Sequence, residues 1–249
     1  MICKLCLCDK DLKNSHIIPN AFIRRIKENG LATHVTSDIN EPVRNSIESY
    51  HEKMLCGNCE QLLSREYERY SIRFLKGGAK GVKFIHHSDK VKVLGADLRR
   101  IYLFVLSVFW RAAMSNERIF NEKVFFPDYL LEEFRKCILL GKVNHSSVYI
   151  LKISRLVCNH DFPNMTGEKF VRDLVMLPFH RINDNEASFH WIALGFVFSF
   201  SVSSSQLKPI GSTILRGHGS KVSAVYVELR NIPEIIAILD TIHKREIPS

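Results

Sequence analysis

The segment "HEKMLCGNCEQLLSREYERYSIRFL", residues 51–75, joins a pair of cysteines to an amphipathic helix. Cys56 and Cys59 are separated by Gly and Asn, a spacing that lets two thiolates bind one tetrahedral ion. Apolar and aromatic residues then recur near helical spacing, with charges between them: Leu62, Leu63, Tyr67, Tyr70 and Phe74. The segment therefore predicts a metal-binding turn that opens into a helix.

A second cysteine pair with the same spacing stands at the start of the chain. Two such pairs predict one zinc site with four thiolate ligands: Cys3, Cys6, Cys56 and Cys59. Because four thiolates leave no open position for water, we expect the zinc to be structural and to contribute directly to folding. Cys8 is one cysteine more than the site needs, and it is either a spare thiol or a replacement for Cys6.

A histidine lies between the two cysteine pairs, in "NSHIIPNAFI", residues 14–23. A histidine in a short apolar run either packs in the core with a backbone hydrogen bond or serves as a functional group. The neighbouring zinc site favours the functional interpretation for His16. A helix is predicted directly after it, over "PNAFIRRIKENG".

The first third of the chain resembles the treble-clef arrangement of the HNH endonucleases, also called the ββα-metal fold. In that family a cysteine pair precedes a strand with Asp-His-Ile and a proline, and Asn-Leu-x-x-Leu-Cys-x-x-Cys-His later opens a helix. "SHIIP" matches the strand, with His16 at the catalytic histidine and Pro19 at the proline. "HEKMLCGNCE" matches the last element, with Leu55, Cys56 and Cys59 aligned. The resemblance implies that His16 is the general base that takes a proton from the attacking water.

Three positions depart from the family pattern. Ser15 stands where an acidic metal ligand usually precedes the histidine, His51 stands at the middle asparagine, and Glu60 stands at the last histidine. The resemblance therefore implies a catalytic set of His16, His51 and Glu60, with Mg²⁺ or Mn²⁺ as the catalytic ion. The loop between His16 and His51 is also longer than in the compact family core.

The acidic residues of this helix have an alternative interpretation. Glu60 lies in the first turn, where the helix macrodipole favours any carboxylate. Glu66 and Glu68 lie further along the same helix, and we expect both to face solvent, with Glu66 as a fallback metal ligand.

Basic residues near the predicted site suggest an anionic partner. The chain has a formal net charge of +9 and a pI near 9.2, which favours polyanions such as nucleic acid. Arg24, Arg25 and Lys27 would contact phosphates, unless they form an ordinary exposed helix face. The resemblance implies that the nucleic acid is double-stranded DNA.

The rest of the chain predicts a larger α+β domain. "KGGAKG", residues 76–81, is the best candidate for a linker, which divides the chain into an HNH-like module over 1–80 and a domain over 81–249. In the second part, two helices precede three strand-like stretches and a last helix. It contains neither a phosphate-binding loop nor a dinucleotide fingerprint. We expect it to serve specificity or assembly, through a homo-oligomer or a partner protein.

The sequence predicts a cytoplasmic protein without a membrane span. "MICKLCLCDK" has charge and three cysteines where a signal peptide has an apolar region. The most apolar run, "IYLFVLSVFW" at residues 101–110, is about half the length of roughly 20 residues that a spanning helix needs, so it predicts a buried core helix.

Two functions follow from these patterns. The resemblance implies a metal-dependent endonuclease that hydrolyses DNA phosphodiester bonds in phage defence, restriction or a mobile element. The alternative is a zinc scaffold whose catalytic site has decayed and which binds nucleic acid or regulates a complex.

Overall fold

The computed structural model describes residues 1–28, 50–144, 148–160, 166–183, 186–203 and 211–246. Helices and strands both contribute, which confirms the mixed α+β class. The strands are β1 (Leu12–His16), β2 (His51–Cys56), β3 (Lys83–His86), β4 (Lys90–Leu94), β5 (Tyr149–Val157), β6 (Phe179–Asn183), β7 (Glu186–Ala193), β8 (Phe196–Ser203) and β9 (Lys221–Glu228). The helices are α1 (Asn20–Glu28), α2 (Gly57–Leu62), α3 (Arg69–Leu75), α4 (Leu98–Met114), α5 (Arg118–Asn121), α6 (Asp128–Leu140), α7 (Gly167–Asp173) and α8 (Pro233–Glu246). None of the helices within these ranges is both long and apolar enough to cross a bilayer.

The N-terminal part is an antiparallel hairpin followed by a long helical run. β1 pairs with β2 in a register that sets His16 opposite His51, and the register shifts between Lys13 and Asn14. Directly after β2 the chain enters α2, continues through a π-helical segment (Leu63–Glu68) and ends in α3. The helix predicted after the second cysteine pair is therefore present, and it follows a two-stranded hairpin.

The remaining strands form one seven-stranded sheet in the order β3-β4-β9-β5-β8-β7-β6. All neighbours are antiparallel except β5 and β9, which are parallel. β7 and β8 form a tight hairpin because Leu194 and Gly195 both adopt positive φ angles, of 51° and 78°. A Gly at the second turn position relieves the steric cost of that conformation.

Helix α4 is the centre of the core. Nearly every side chain from Leu98 to Ala112 is buried, as expected for a helix that is apolar on all sides, and this confirms the core helix predicted over 101–110. Asp97 caps its first turn by accepting a hydrogen bond from the Arg100 backbone N–H at 3.0 Å. One cluster of buried residues extends from Cys3 to Ala224 and includes this helix.

Side chains join the N-terminal part to the helices that follow it. Arg135 donates to the Leu5 carbonyl at 2.6 Å, and the Tyr67 hydroxyl donates to the Ile138 carbonyl at 2.7 Å. Lys4 reaches the carbonyl at the end of α4. The division of the chain at residue 80 stays a prediction, and residues on both sides of it contribute to the same buried cluster.

Candidate functional site

Four cysteines converge between the first turn of the chain and the start of α2. The sulfurs of Cys3, Cys6, Cys56 and Cys59 all lie within 4.8 Å of one another, and they are positioned to hold a metal ion. The Cys6 and Cys56 sulfurs are 3.8 Å apart. Sulfurs at about 2.3 Å from a tetrahedral zinc ion are separated by about 3.8 Å, so the cluster fits the geometry of zinc.

The backbone around the cysteines supports metal binding. The Cys56 N–H donates to the Cys3 sulfur at 3.3 Å, which stabilises a thiolate. The first turn closes through a hydrogen bond from the Leu7 N–H to the Cys3 carbonyl at 2.9 Å, with Leu7 at a positive φ of 59°. Burial, followed by the neighbouring thiols, raises the pKa of Cys59 far above its usual range. A bound cation would remove this cost, because thiolates are stabilised by coordination.

Cys8 lies outside the cluster. It is exposed, and its sulfur donates to the Cys6 carbonyl at 3.5 Å. The structure therefore favours Cys6 over Cys8 as the fourth ligand of the predicted site.

His16 and His51 form a pair across the hairpin. Their rings stack with centroids 5.8 Å apart, since the two residues are direct partners in the β1–β2 register. His16 is half-buried and His51 is exposed. Burial lowers the pKa of His16, with smaller contributions from His51 and Arg111. Near neutral pH this imidazole is therefore uncharged and able to accept a proton.

Glu60 lies in the first turn of α2, and it is half-buried. Its Oε1 atom is buried without a hydrogen-bond partner. Burial raises the pKa of this carboxyl, and the side chain of Ser15 opposes the shift. Ser15 is fully buried and accepts a hydrogen bond from the Leu55 N–H at 3.0 Å, so it supports the hairpin at the position where the HNH pattern has an acidic ligand.

Glu68 does not face solvent, and the prediction for this residue was wrong. Its side chain is 17% exposed and forms an ion pair with Arg111. In a regular α-helix Glu60 and Glu68 would be offset by about 80° around the axis. The π-helical segment accommodates one extra residue, which reduces the offset to about 20° and brings both carboxylates to the same face. The role of Glu66 as a fallback metal ligand stays a prediction.

Arg111 was missed by the sequence analysis and lies at the centre of this region. Only 1% of it is exposed. Its Nη1 donates to the His16 carbonyl at 2.7 Å and its Nε donates to the Ser107 carbonyl at 3.2 Å. Its Nη2 lies 3.0 Å from Glu68 Oε1, although the angle is poor for a hydrogen bond. The only sequence signal was a charged residue at the end of the most apolar helix.

The same charged residues act on His16 and Glu60, but the three predicted catalytic residues do not form a tight cluster. Arg111 and Glu68 affect the pKa of both His16 and Glu60. Within the described ranges, the four cysteines are the group whose ligand atoms all lie within 4.8 Å, and His16, His51 and Glu60 do not form another.

The predicted phosphate-binding residues are only partly described. Arg24 is exposed on α1. The side chains of Arg25 and Lys27 lie outside the described part of the structure.

Comparison with protein-family models, with curated proteins and with solved structures finds no match to this chain. Any function must therefore be argued from the geometry of the site.

Replacing Arg111 with methionine should destabilise the fold strongly. The change leaves the partly buried Glu68 carboxylate and the His16 carbonyl without their partner, and breaking a buried ion pair costs about 3–5 kcal/mol. Chemical denaturation measures the loss. Arg118→Met is the matched control, since Arg118 is 86% exposed and its pair with Glu122 should contribute nothing measurable. Equal stability of the two variants would show that the buried network does not support the site.

Proposed function

We propose that this chain is a metal-dependent endonuclease of the HNH type that hydrolyses phosphodiester bonds in DNA. The observation that supports it most is the position of His16, which is held uncharged on β1 beside His51, in the same electrostatic neighbourhood as the Glu60 carboxyl. A neutral imidazole and a carboxylate near each other are the groups that water activation and metal binding require.

In this proposal His16 accepts a proton from the water that attacks phosphorus. Burial keeps the ring neutral, and the neighbouring His51 and the positive charge of Arg111 contribute in the same direction. The hydrogen bond from Arg111 to the His16 carbonyl fixes the backbone that carries the imidazole. The role of Arg111 is therefore positioning, and that of His16 is catalytic.

The unpartnered Glu60 Oε1 fits a divalent cation. A buried carboxylate oxygen without a donor has a lone pair free for coordination, and Mg²⁺ and Mn²⁺ prefer such oxygen ligands. Glu60 and His51 would hold the ion. When bound, the ion would stabilise the charge that develops on the phosphate and leaving oxygens.

The four-cysteine centre would be a structural zinc site of treble-clef type. It joins the first turn of the chain to the junction of β2 and α2. His51 begins the strand before this junction and Glu60 lies in the helix after it, so the zinc would hold the two residues at a fixed separation. The proposal places the enzyme in the cytoplasm, with exposed Arg24 against the phosphates and residues 81–249 in specificity or assembly.

One observation favours the alternative, a zinc scaffold that binds nucleic acid without cleaving it. In the part of the chain that the structure describes, His16, His51 and Glu60 do not converge tightly enough to form a ready ion site. The two functions differ in whether Glu60 controls a metal requirement.

Glu60→Gln provides that test. The amide keeps the shape of the side chain but removes its negative charge, so the Mn²⁺ concentration needed for half-maximal plasmid cleavage should rise by about tenfold or more. Glu122→Gln is the control, because Glu122 is exposed directly after α5 and has no role in the proposed site, and it should leave the Mn²⁺ requirement unchanged. An identical Mn²⁺ dependence for wild type and Glu60→Gln would contradict metal binding by Glu60.

The pH dependence of cleavage tests the role of His16. Because the pKa of His16 is lowered, the cleavage rate should be level at neutral pH and fall only below pH ~6.5, where the imidazole becomes protonated. His51→Asn removes a neighbour that lowers this pKa, so the midpoint of the acid limb, measured at saturating Mn²⁺ because His51 is also proposed to hold the ion, should move to higher pH. His87→Asn, an exposed histidine elsewhere, should not move it. A midpoint that stays fixed in His51→Asn would argue against His16 as the base.

A further inference from the structure

A cavity outside the candidate site lies where the end of the long helical run meets the seven-stranded sheet. Its volume is about 200 Å³. It is lined by residues from the end of α3 and the following turn, from β3, β4, β5 and α7, and from the β7–β8 turn. None of them belongs to the sites described above. The turn is part of "KGGAKG", the segment expected to be a linker, so part of this segment lines a cavity.

Arg155 is the central cation of this cavity. It is half-buried. Among the described residues, no carboxylate oxygen lies within 4.0 Å of its guanidinium nitrogens, so it forms no ion pair there. Its Nη1 donates to the Leu194 carbonyl at 3.2 Å, and its guanidinium lies 4.7 Å from the centroid of the Phe196 ring. Burial lowers the pKa of Arg155, because removing the guanidinium from water disfavours its charged form.

The adjoining turn is shaped around this guanidinium. Gly195 has a φ of 78°, which favours glycine, and a Cβ atom there would lie 2.8 Å from Arg155 Nη1, so the guanidinium packs directly against this turn. The backbone therefore fixes one edge of the planar guanidinium. A guanidinium has five N–H donors, and Leu194 provides the acceptor for one of them.

Two more cations line the cavity without an acidic partner. Lys76 and Arg172 are exposed, and within the described ranges neither forms an ion pair. Tyr226 and, to a smaller extent, the exposed Glu168 oppose the lowering of the Arg155 pKa, and among the described residues neither forms an ion pair with Arg155. Arg172 opposes the charge of Arg155. Within the described ranges no carboxylate forms an ion pair with these three positive groups, so together they attract a ligand with more than one negative charge.

An aromatic wall stands beside these cations. Phe84 is half-buried, and its ring centroid lies 6.4 Å from that of Phe196. Phe196 is covered by Arg155, so Phe84 presents the accessible aromatic surface. At the mouth, His86 is hydrogen-bonded to the Tyr226 hydroxyl at 2.8 Å.

We propose that this cavity binds a phosphate monoester attached to a flat ring, with Arg155, Arg172 and Lys76 on the phosphate and Phe84 against the ring. Arginine is suited to this role because its planar fork matches the oxygens of a phosphate. A dianionic phosphate matches three unneutralised cations better than a monoanionic carboxylate does. The ligand is a free nucleoside monophosphate or the 5′-terminal phosphate of a nucleic-acid strand, since both present this chemistry.

Calorimetric titration without added divalent ions tests the proposal and separates the two sources. The probes are adenosine 5′-monophosphate, adenosine, and a short single-stranded oligonucleotide with and without a 5′-phosphate. Saturable binding of the monophosphate at one per chain, with no binding of adenosine, supports a free nucleotide. Tighter binding of the oligonucleotide with the 5′-phosphate, without binding of the monophosphate, supports a strand end. Failure of both phosphorylated probes to exceed their unphosphorylated partners overturns the proposal.

Arg172→Gln is the decisive variant because Arg172 is exposed and the change should not affect folding. Losing one charge-assisted contact should weaken binding of the phosphorylated probe by roughly ten- to a hundredfold. Arg155→Met should weaken it at least as much, with a thermal melt to show that the variant is folded. Arg73→Gln is the matched control, since Arg73 is exposed on α3 and does not line the cavity. Equal affinity of wild type and Arg172→Gln overturns the proposal, whatever the fate of the nuclease activity.

Discussion

Replacing Cys59 with serine is expected to abolish zinc binding and to unfold the N-terminal part of the chain. Cys3, Cys56 and Cys59 are almost fully buried and belong to the main core cluster. Removing one ligand opens the tetrahedral site, and the remaining thiols stay buried without a cation. Structural zinc contributes about 10–16 kcal/mol in zinc-finger peptides, which exceeds the stability of most domains. The loss should therefore appear as missing zinc and as a lost or strongly lowered thermal transition.

Cys8→Ser separates this effect from the general loss of a thiol. Cys8 is exposed and lies outside the ligand cluster, so its replacement should leave one zinc per chain and an unchanged melting temperature. Metal content by elemental analysis and a melting curve decide the matter. If Cys59→Ser retained zinc at one per chain, the four-cysteine assignment would be wrong.

Replacing His16 with alanine should reduce DNA cleavage by about 10²- to 10⁴-fold, the range expected for the loss of a general base. His16 contacts the network through its backbone carbonyl, which accepts the hydrogen bond from Arg111, and alanine keeps that carbonyl. The variant should therefore keep its zinc and most of its stability. The expected loss is in the chemical step, because the imidazole itself is the group that is removed.

His87→Ala is the control for this variant. His87 is exposed, follows β3 directly and does not belong to the candidate site. It should leave the cleavage rate unchanged, whereas a similar loss in both variants would show that the effect is not specific to His16.

The four-cysteine cluster and the main elements could be predicted because their signals are local. Cys-x-x-Cys spacing fixes two ligands within one turn, and the two pairs have few other partners in the sequence. Local residues also set the ends of α6, which lies between Pro127 and Gly141, and Gly141 adopts the left-handed conformation at its C-terminal end. The buried face of α4 was evident from its uninterrupted apolar run.

The electrostatic network around His16 could not be predicted because it is non-local. Arg111 is 95 residues from His16 in sequence, and only the fold brings its guanidinium to the carbonyl. Glu68 seemed exposed because regular helical spacing was assumed. The π-helical segment rotates it towards Glu60 and Arg111, and nothing in the sequence marks that extra residue.

The cavity around Arg155 was hidden for the same reason. Arg155 lies on β5, Arg172 lies on α7, and Phe84 lies on β3, and these elements are far apart in the chain. In the sequence each cation is an ordinary member of a basic chain. Their relation depends on the strand order of the sheet, which places β9 between β4 and β5.

The nuclease proposal is tested most directly by the rate at which purified protein nicks supercoiled plasmid with Mg²⁺ or Mn²⁺, beside His16→Ala with the same zinc content and melting temperature. The proposal predicts nicking by the wild type that requires the added ion and is lost in His16→Ala. Absence of nicking by the zinc-loaded, folded wild type with either ion, while DNA is still bound, would contradict it and leave the zinc-scaffold alternative.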